Sequence, residues 1–194
     1  MHEDKVVRFA WTEDEKEANE LLIVLVEYML DFYDTELQRF ALENDVPIED
    51  EVFQSRDDYA MYISDLLIGL RERAQLRLSE DRKKLRNFII TAFVVLADSE
   101  SSNILQLAQL DVALIAKKRN NAVKIYKTWH AHPDCCDLCR QLDGTTKLID
   151  EPFLVNGQIV EMANGEEVIY DYIDRLVAIA HPNDRCWIEF SIRY

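Results

Sequence analysis

The chain predicts an α+β protein: an N-terminal helical bundle or stalk over residues 1–127, then a small β-rich module over 128–194 for which zinc is the candidate fastener. Three observations carry that prediction. As far as Tyr126, apolar side chains recur close to a 3.6-residue period, the mark of amphipathic helices. Beyond Trp129 lie three of the four glycines and three of the four prolines, which punctuate short strands and turns. The last third also holds all four cysteines and three of the four histidines, so the chemistry is concentrated there.

Thr12 can cap the first helix while Glu15, three residues on, returns the bond, a reciprocal arrangement that satisfies two orphan N–H groups. Leu21, Leu25, Tyr28, Phe32, Leu37 and Phe40 then keep one stripe until Asn44-Asp45-Val46-Pro47 ends it. A second helix begins near Ser55, whose hydroxyl can take the backbone amides ahead of it, and carries Tyr59, Tyr62, Ile63, Leu66, Leu67 and Leu70. Gly69 within it reads as a point of close packing. A third, from Ser79 to Ala97, is apolar on every side over Phe88 to Leu96 and reads as a buried central helix. Asp98 to Ser102 breaks the pattern, and a fourth helix runs from Asn103 to Tyr126 through Leu107, Leu110, Leu114 and Val123. The grammar changes at Lys127 to His130.

In the module, Asn156-Gly157 and Asn164-Gly165 favour the left-handed conformations of tight hairpin turns. Short apolar runs beside them read as strands: Thr146 to Ile149, Gln158 to Met162, Glu167 to Tyr170, Leu176 to Ala180 and Trp187 to Ile192.

Lysine and arginine number 22 against 37 aspartates and glutamates, a formal net charge of −15. Sequence-independent nucleic-acid binding runs on cations that displace phosphate counterions, so no general nucleic-acid binding is expected. The basic runs Arg71 to Arg77, Arg82 to Arg86 and Lys117 to Arg119 lie in helical patterns and read as wet faces. The start Met1-His2-Glu3-Asp4 lacks the pattern of a secretory signal, and Leu21 to Val26, bracketed by Glu20 and Glu27, is far too short to span a bilayer. The expectation is a protein of a reducing cytoplasm, where paired thiols more often serve a metal than a disulfide.

The candidate site is split. Cys136 and Cys139 have the spacing that aims two sulfurs at one face of a tetrahedral metal, and His181 with Cys186, about forty residues on, can supply the other. Closing such a loop costs about 3 kcal/mol of chain entropy. Structural zinc returns on the order of 10 kcal/mol, so a metal can fasten the strands. Four protein ligands leave no open position, which makes the site structural and not catalytic.

Other readings stand beside it. His130 or His132 can replace His181, Asp184 can join as an oxygen donor, and the residues can be packed or reduced thiols without metal, Cys135 being an inert one. A redox dithiol belongs at the start of a helix, whereas Cys139 leads toward the turn signal Asp143-Gly144. A nuclease or other hydrolase would take its base from His130, His132 or His181, but Asp134 to Asp174 holds ten acidic residues against Arg140 and Lys147, a surface that repels polyanions. A cytoplasmic zinc-ribbon interaction module is the remaining alternative.

Taken together, Lys127-Thr128-Trp129, Cys136-x-x-Cys139, Leu142-Asp143-Gly144, Asp150-Glu151-Pro152-Phe153 and His181-Pro182-Asn183-x-Arg185-Cys186 resemble the C-terminal signature of the phage Mu F-like head-morphogenesis proteins, also called minor capsid or minor head proteins. The helix from Ala108 to Tyr126 is similar to the one that precedes that signature, and the resemblance covers about residues 108 to 190. One position departs: the family commonly ends His-Pro-x-Cys-Arg-Cys, and Asp184 stands where the first of those cysteines would be. The resemblance implies a structural, non-enzymatic virion protein of a tailed phage or prophage, at the portal vertex or in the capsid interior, and in the host cytoplasm during assembly. It implies the portal protein or the major capsid protein as partner, a role in head assembly or genome delivery, and no membrane. Relatives can carry a toxin or ADP-ribosyltransferase domain after the signature, and none is expected before this chain stops at Tyr194.

Overall fold

The computed structural model describes residues 2–49, 51, 53–77, 81–155, 157–162, 165–170 and 186–194. Helices come first and strands after: α1 (His2–Trp11), α2 (Glu15–Glu43), α3 (Gln54–Gln75), α4 (Arg82–Arg119), β1 (Lys124–His130), α5 (Asp137–Leu142), β2 (Thr146–Leu148), β3 (Gln158–Glu161), β4 (Glu167–Tyr170) and β5 (Trp187–Arg193). The α+β class read from the sequence is the class observed. The chain divides into two compact units, Met1–Thr35 with Glu51–Ser101, and Glu36–Asp50 with Ser102–Tyr194. The 127/128 junction read from the sequence lies within β1.

The first unit is helical. Leu25, Met29, Leu30 and Tyr33 of α2, Ile63, Leu67, Leu70 and Ala74 of α3, and Leu85 and Ile89 of α4 are all buried, each set at helical spacing, so three apolar stripes share one core. Arg71 fastens the α1–α2 turn, its guanidinium donating to the Thr12 carbonyl (3.1 Å) and the Glu15 carboxylate (2.9 Å). Arg56 of α3 donates two bonds to Asp34 of α2, at 2.8 and 2.9 Å.

The second unit sets strands beside helix. Ile104, Ala108, Val112, Ala113 and Ala116 of α4 are buried, as are Ile125 and Trp129 of β1 and Ile188 and Phe190 of β5. A three-stranded antiparallel sheet has the order β2-β1-β5, and β3 and β4 form a separate two-stranded hairpin. β1 pairs with β5 along its whole length, from Lys124 opposite Arg193 to His130 opposite Trp187. The two ends of the C-terminal region are therefore hydrogen-bonded neighbours.

Several local expectations are corrected. The first expected helix, which is α2, is capped by Asp14, not Thr12: Asp14 Oδ1 accepts from the amides of Lys16 (2.9 Å) and Glu17 (3.3 Å), while the Thr12 hydroxyl donates to Glu17. α3 starts at Gln54 after Phe53, which makes no side-chain cap bond, and Ser55 Oγ lies instead 3.5 Å from the Tyr33 hydroxyl. Asp98 to Ser102 does not interrupt the helix, and the side chains of Glu100 and Ser101 find partners there. Ser101 Oγ donates back to the Asp98 carbonyl (2.8 Å), and buried Glu100 accepts from the hydroxyls of Tyr59 (2.5 Å) and Tyr62 (3.3 Å). Burial and the Glu100 carboxylate push the Tyr59 hydroxyl well above the usual phenol range, so it stays a donor. The run Phe88 to Leu96 is not a buried centre: Ile89 and Phe93 are inside, but Val94 and Val95 are 53% and 61% exposed. Length and composition alone make α4 apolar enough to cross a membrane, and 24% of its apolar window is buried. The fourth expected helix ends at Arg119, and Lys124–His130 is a strand. Four of the five expected strands coincide with β2 to β5, and Leu176 to Ala180 falls outside the described residues.

Candidate metal centre

β1 delivers the chain to the site and α5 carries it back. After His130 the backbone leaves the sheet, and both sides of its root are held: the Ala131 amide donates to Asp143 Oδ1 (2.8 Å), and the His132 amide donates to the Cys186 sulfur (3.4 Å). The loop is tied across itself by the Cys135 amide donating to the His132 carbonyl (2.9 Å) and by Arg140 donating to the Cys135 carbonyl (3.3 Å). Beyond α5 the chain returns beside β1, with the Gly144 amide donating to the Trp129 carbonyl (2.8 Å) and the Trp129 amide to the Thr145 carbonyl (3.0 Å). Gly144 takes φ +73°, which a side chain resists, so Asp143-Gly144 makes the turn that closes the loop.

Within this frame Cys136 is the residue before the first turn of α5, with extended backbone, and its sulfur accepts from the Cys139 amide at 3.5 Å. The Cys136 and Cys139 sulfurs are 3.5 Å apart. Two sulfurs bound at 2.3 Å to a tetrahedral metal stand about 3.8 Å apart. The pair therefore already approximates one edge of such a site. Cys136 is an exposed residue and Cys139 a fully buried one. Cys186, buried at 2% exposure, sits next to β5 on the far side of the loop root. His181 and Asp184 lie outside the described residues. Among the described residues no three Cys, His, Asp or Glu side chains gather as a metal-holding group. Of the four expected ligands, the structure brings Cys136 and Cys139 together with a spacing close to one edge of a tetrahedral site.

The remaining histidines have other engagements. His130 stacks on Trp187 across the sheet (ring centroids 5.2 Å, interplanar angle 14°), and its Nε2 lies 2.9 Å from Glu189 Oε2. His132 Nδ1 accepts from the Asp134 amide at 3.2 Å, a contact that stiffens its own loop. At the opening of β5 a cleft of about 450 Å³ is lined by Glu36, Arg39, Gln109, Trp187 and Glu189 among others. Its inner carboxylate is satisfied by protein, since Glu36 accepts from Arg39 Nε (2.7 Å) and Gln109 Nε2 (2.6 Å).

The cysteine spacing is plain in the sequence, but the residues that shape the surrounding loop are not. Asp143 and Gln141, which donates to the Glu161 carbonyl at 2.8 Å, were legible only as turn and helix residues. Alternation of buried residues along Lys124–His130 was the available signal for β1, hidden by the apolar stripe of the helix before it.

No protein-family model, no curated protein and no solved structure matches this chain.

Proposed function

We propose that the chain is a structural, non-enzymatic minor head protein of a tailed phage or prophage. In this reading its helical part docks on the portal protein or the major capsid protein, and the protein acts in head assembly or genome delivery. It resides in the virion after assembly in the host cytoplasm, without a membrane. Zinc pins the C-terminal module, with Cys136, Cys139 and Cys186 as thiolates and His181 as the imidazole ligand.

The observation that carries the docking role is the apolar surface of the helical unit: Ile23 on α2, Met61 on α3 and Val95 on α4 are 64%, 63% and 61% exposed. Covering apolar surface returns about 25 cal/mol per Å², and uncovered apolar side chains on a helical face suit a protein partner. The net charge of −15 keeps such a protein off the packaged genome. The signature from Lys127 to Cys186 supplies the identity of the partner. The non-enzymatic reading draws support from His130 and His132, whose ring contacts are structural.

The test is recovery with the particle. Mass spectrometry of purified virions finds the chain, and it co-purifies with the portal protein. Met61→Asp with Val95→Asp abolishes that co-purification while the circular dichroism spectrum is kept. A chain absent from particles, or a double variant that binds as the parent does, refutes the reading.

A further inference from the structure

The paired thiols have the geometry for a second chemistry. The two cysteines lie in the segment that follows β1, Cys136 immediately before α5 and Cys139 within it. The two sulfurs lie 3.5 Å apart. A disulfide bond is about 2.05 Å long, so closure needs an approach of about 1.5 Å. The pair is also asymmetric in access, Cys136 exposed and Cys139 at 0%. A dithiol that exchanges with outside disulfides needs that asymmetry: one sulfur open to attack and a shielded one beside it to resolve the adduct. Cys186, the other buried thiol, lies across the loop root against the His132 amide.

We propose that Cys136 and Cys139 form a thiol–disulfide exchange site for small disulfides, glutathione disulfide being the model substrate. The Cys136 thiolate attacks one sulfur of the small disulfide, forming a Cys136 mixed disulfide and releasing one small thiolate. The Cys139 sulfur then attacks Cys136 Sγ, forming the Cys136–Cys139 disulfide and releasing the second. The two protons lost by the cysteines end on the two small thiols, and the two electrons the cysteines give up reduce one disulfide to two thiols. The site does not depend on the zinc reading but bears on it: sulfurs joined to each other no longer serve as thiolate ligands, so oxidation opens the clasp.

The experiment treats the full-length protein, stripped of metal with a chelator, with glutathione disulfide, and reads intact mass, thiol titration and peptide maps. Wild type loses two of its four titratable thiols, and the map joins Cys136 to Cys139. Cys139→Ser retains one glutathione on Cys136, whereas Cys136→Ser takes up none. Retention of all four thiols, a bond that includes Cys135 or Cys186, or equal glutathione uptake by the two variants overturns the proposal. Repeating the oxidation after zinc loading separates the two ideas: protection of the pair by zinc supports the metal site. A disulfide that forms regardless of zinc leaves the exchange site standing and removes the metal.

Discussion

Replacing Gln106 with leucine removes the group that holds the outer edge of β5. In the sheet order β2-β1-β5 the last strand has one open edge. Trp129, which faces Ile188 in the register, uses its amide and carbonyl toward Thr145 and Gly144 on the β2 side, so the Ile188 amide points away from β1. That amide donates to Gln106 Oε1 at 2.8 Å, and Gln106 and Ile188 are 2% and 1% exposed. Leucine nearly fills the volume but accepts nothing, so a buried N–H is orphaned at about 1–3 kcal/mol. The lost bond from Gln106 Nε2 to the Ser102 carbonyl adds little, since that oxygen belongs to a helix. A central value of about 2 kcal/mol corresponds to a melting shift of about 4–8 °C for a chain of this size. Thermal melts measure it, and amide exchange at Ile188 reports the site itself. A Gln106→Leu protein that melts with the parent and keeps its Ile188 protection refutes the reasoning.

Gly69 sits inside α3, where an added Cβ meets only Arg73 Nη1 at 3.7 Å, so the close packing expected from the sequence is absent. Gly69→Ala therefore stabilises by about 0.8–1 kcal/mol through helix propensity, read as a higher urea midpoint at unchanged slope, and a lower midpoint contradicts it. Burial pushes the Glu36 carboxyl up, but bonds from Arg39 and Gln109 outweigh this and hold it below the usual carboxylate range. With the folded value below the unfolded one, its contribution is complete above the unfolded value and is lost as pH falls through the folded one. Glu36→Gln accordingly lowers stability at neutral pH and flattens the loss below about pH 4, and parallel acid limbs for the two proteins exclude the effect.

How much the sequence disclosed depended on whether the deciding interaction was local. Periodicity located α2 and α3, and short apolar runs with turn dipeptides located β2, β3, β4 and β5, because each signal lies within a dozen residues. The continuity of α4 through Asp98 to Ser102 was hidden because it rests on Tyr59 and Tyr62, about forty residues away, which engage Glu100. Val94 and Val95 look buried in any local pattern, and only the packing of Ile89 and Phe93 shows which side faces the core. At the site, spacing alone gave Cys136 and Cys139. The bond of Cys186 to the His132 amide needed the β1–β5 register, which brings residues 54 apart together.

That register underlies the proposed zinc clasp, and metal content of the full-length protein purified without added metal tests the proposal most directly. The account predicts one zinc per chain, lost in Cys136→Ser, Cys139→Ser and Cys186→Ser alike, with a chelator lowering the melting temperature of the wild type. A metal-free chain whose melting is indifferent to the chelator contradicts it.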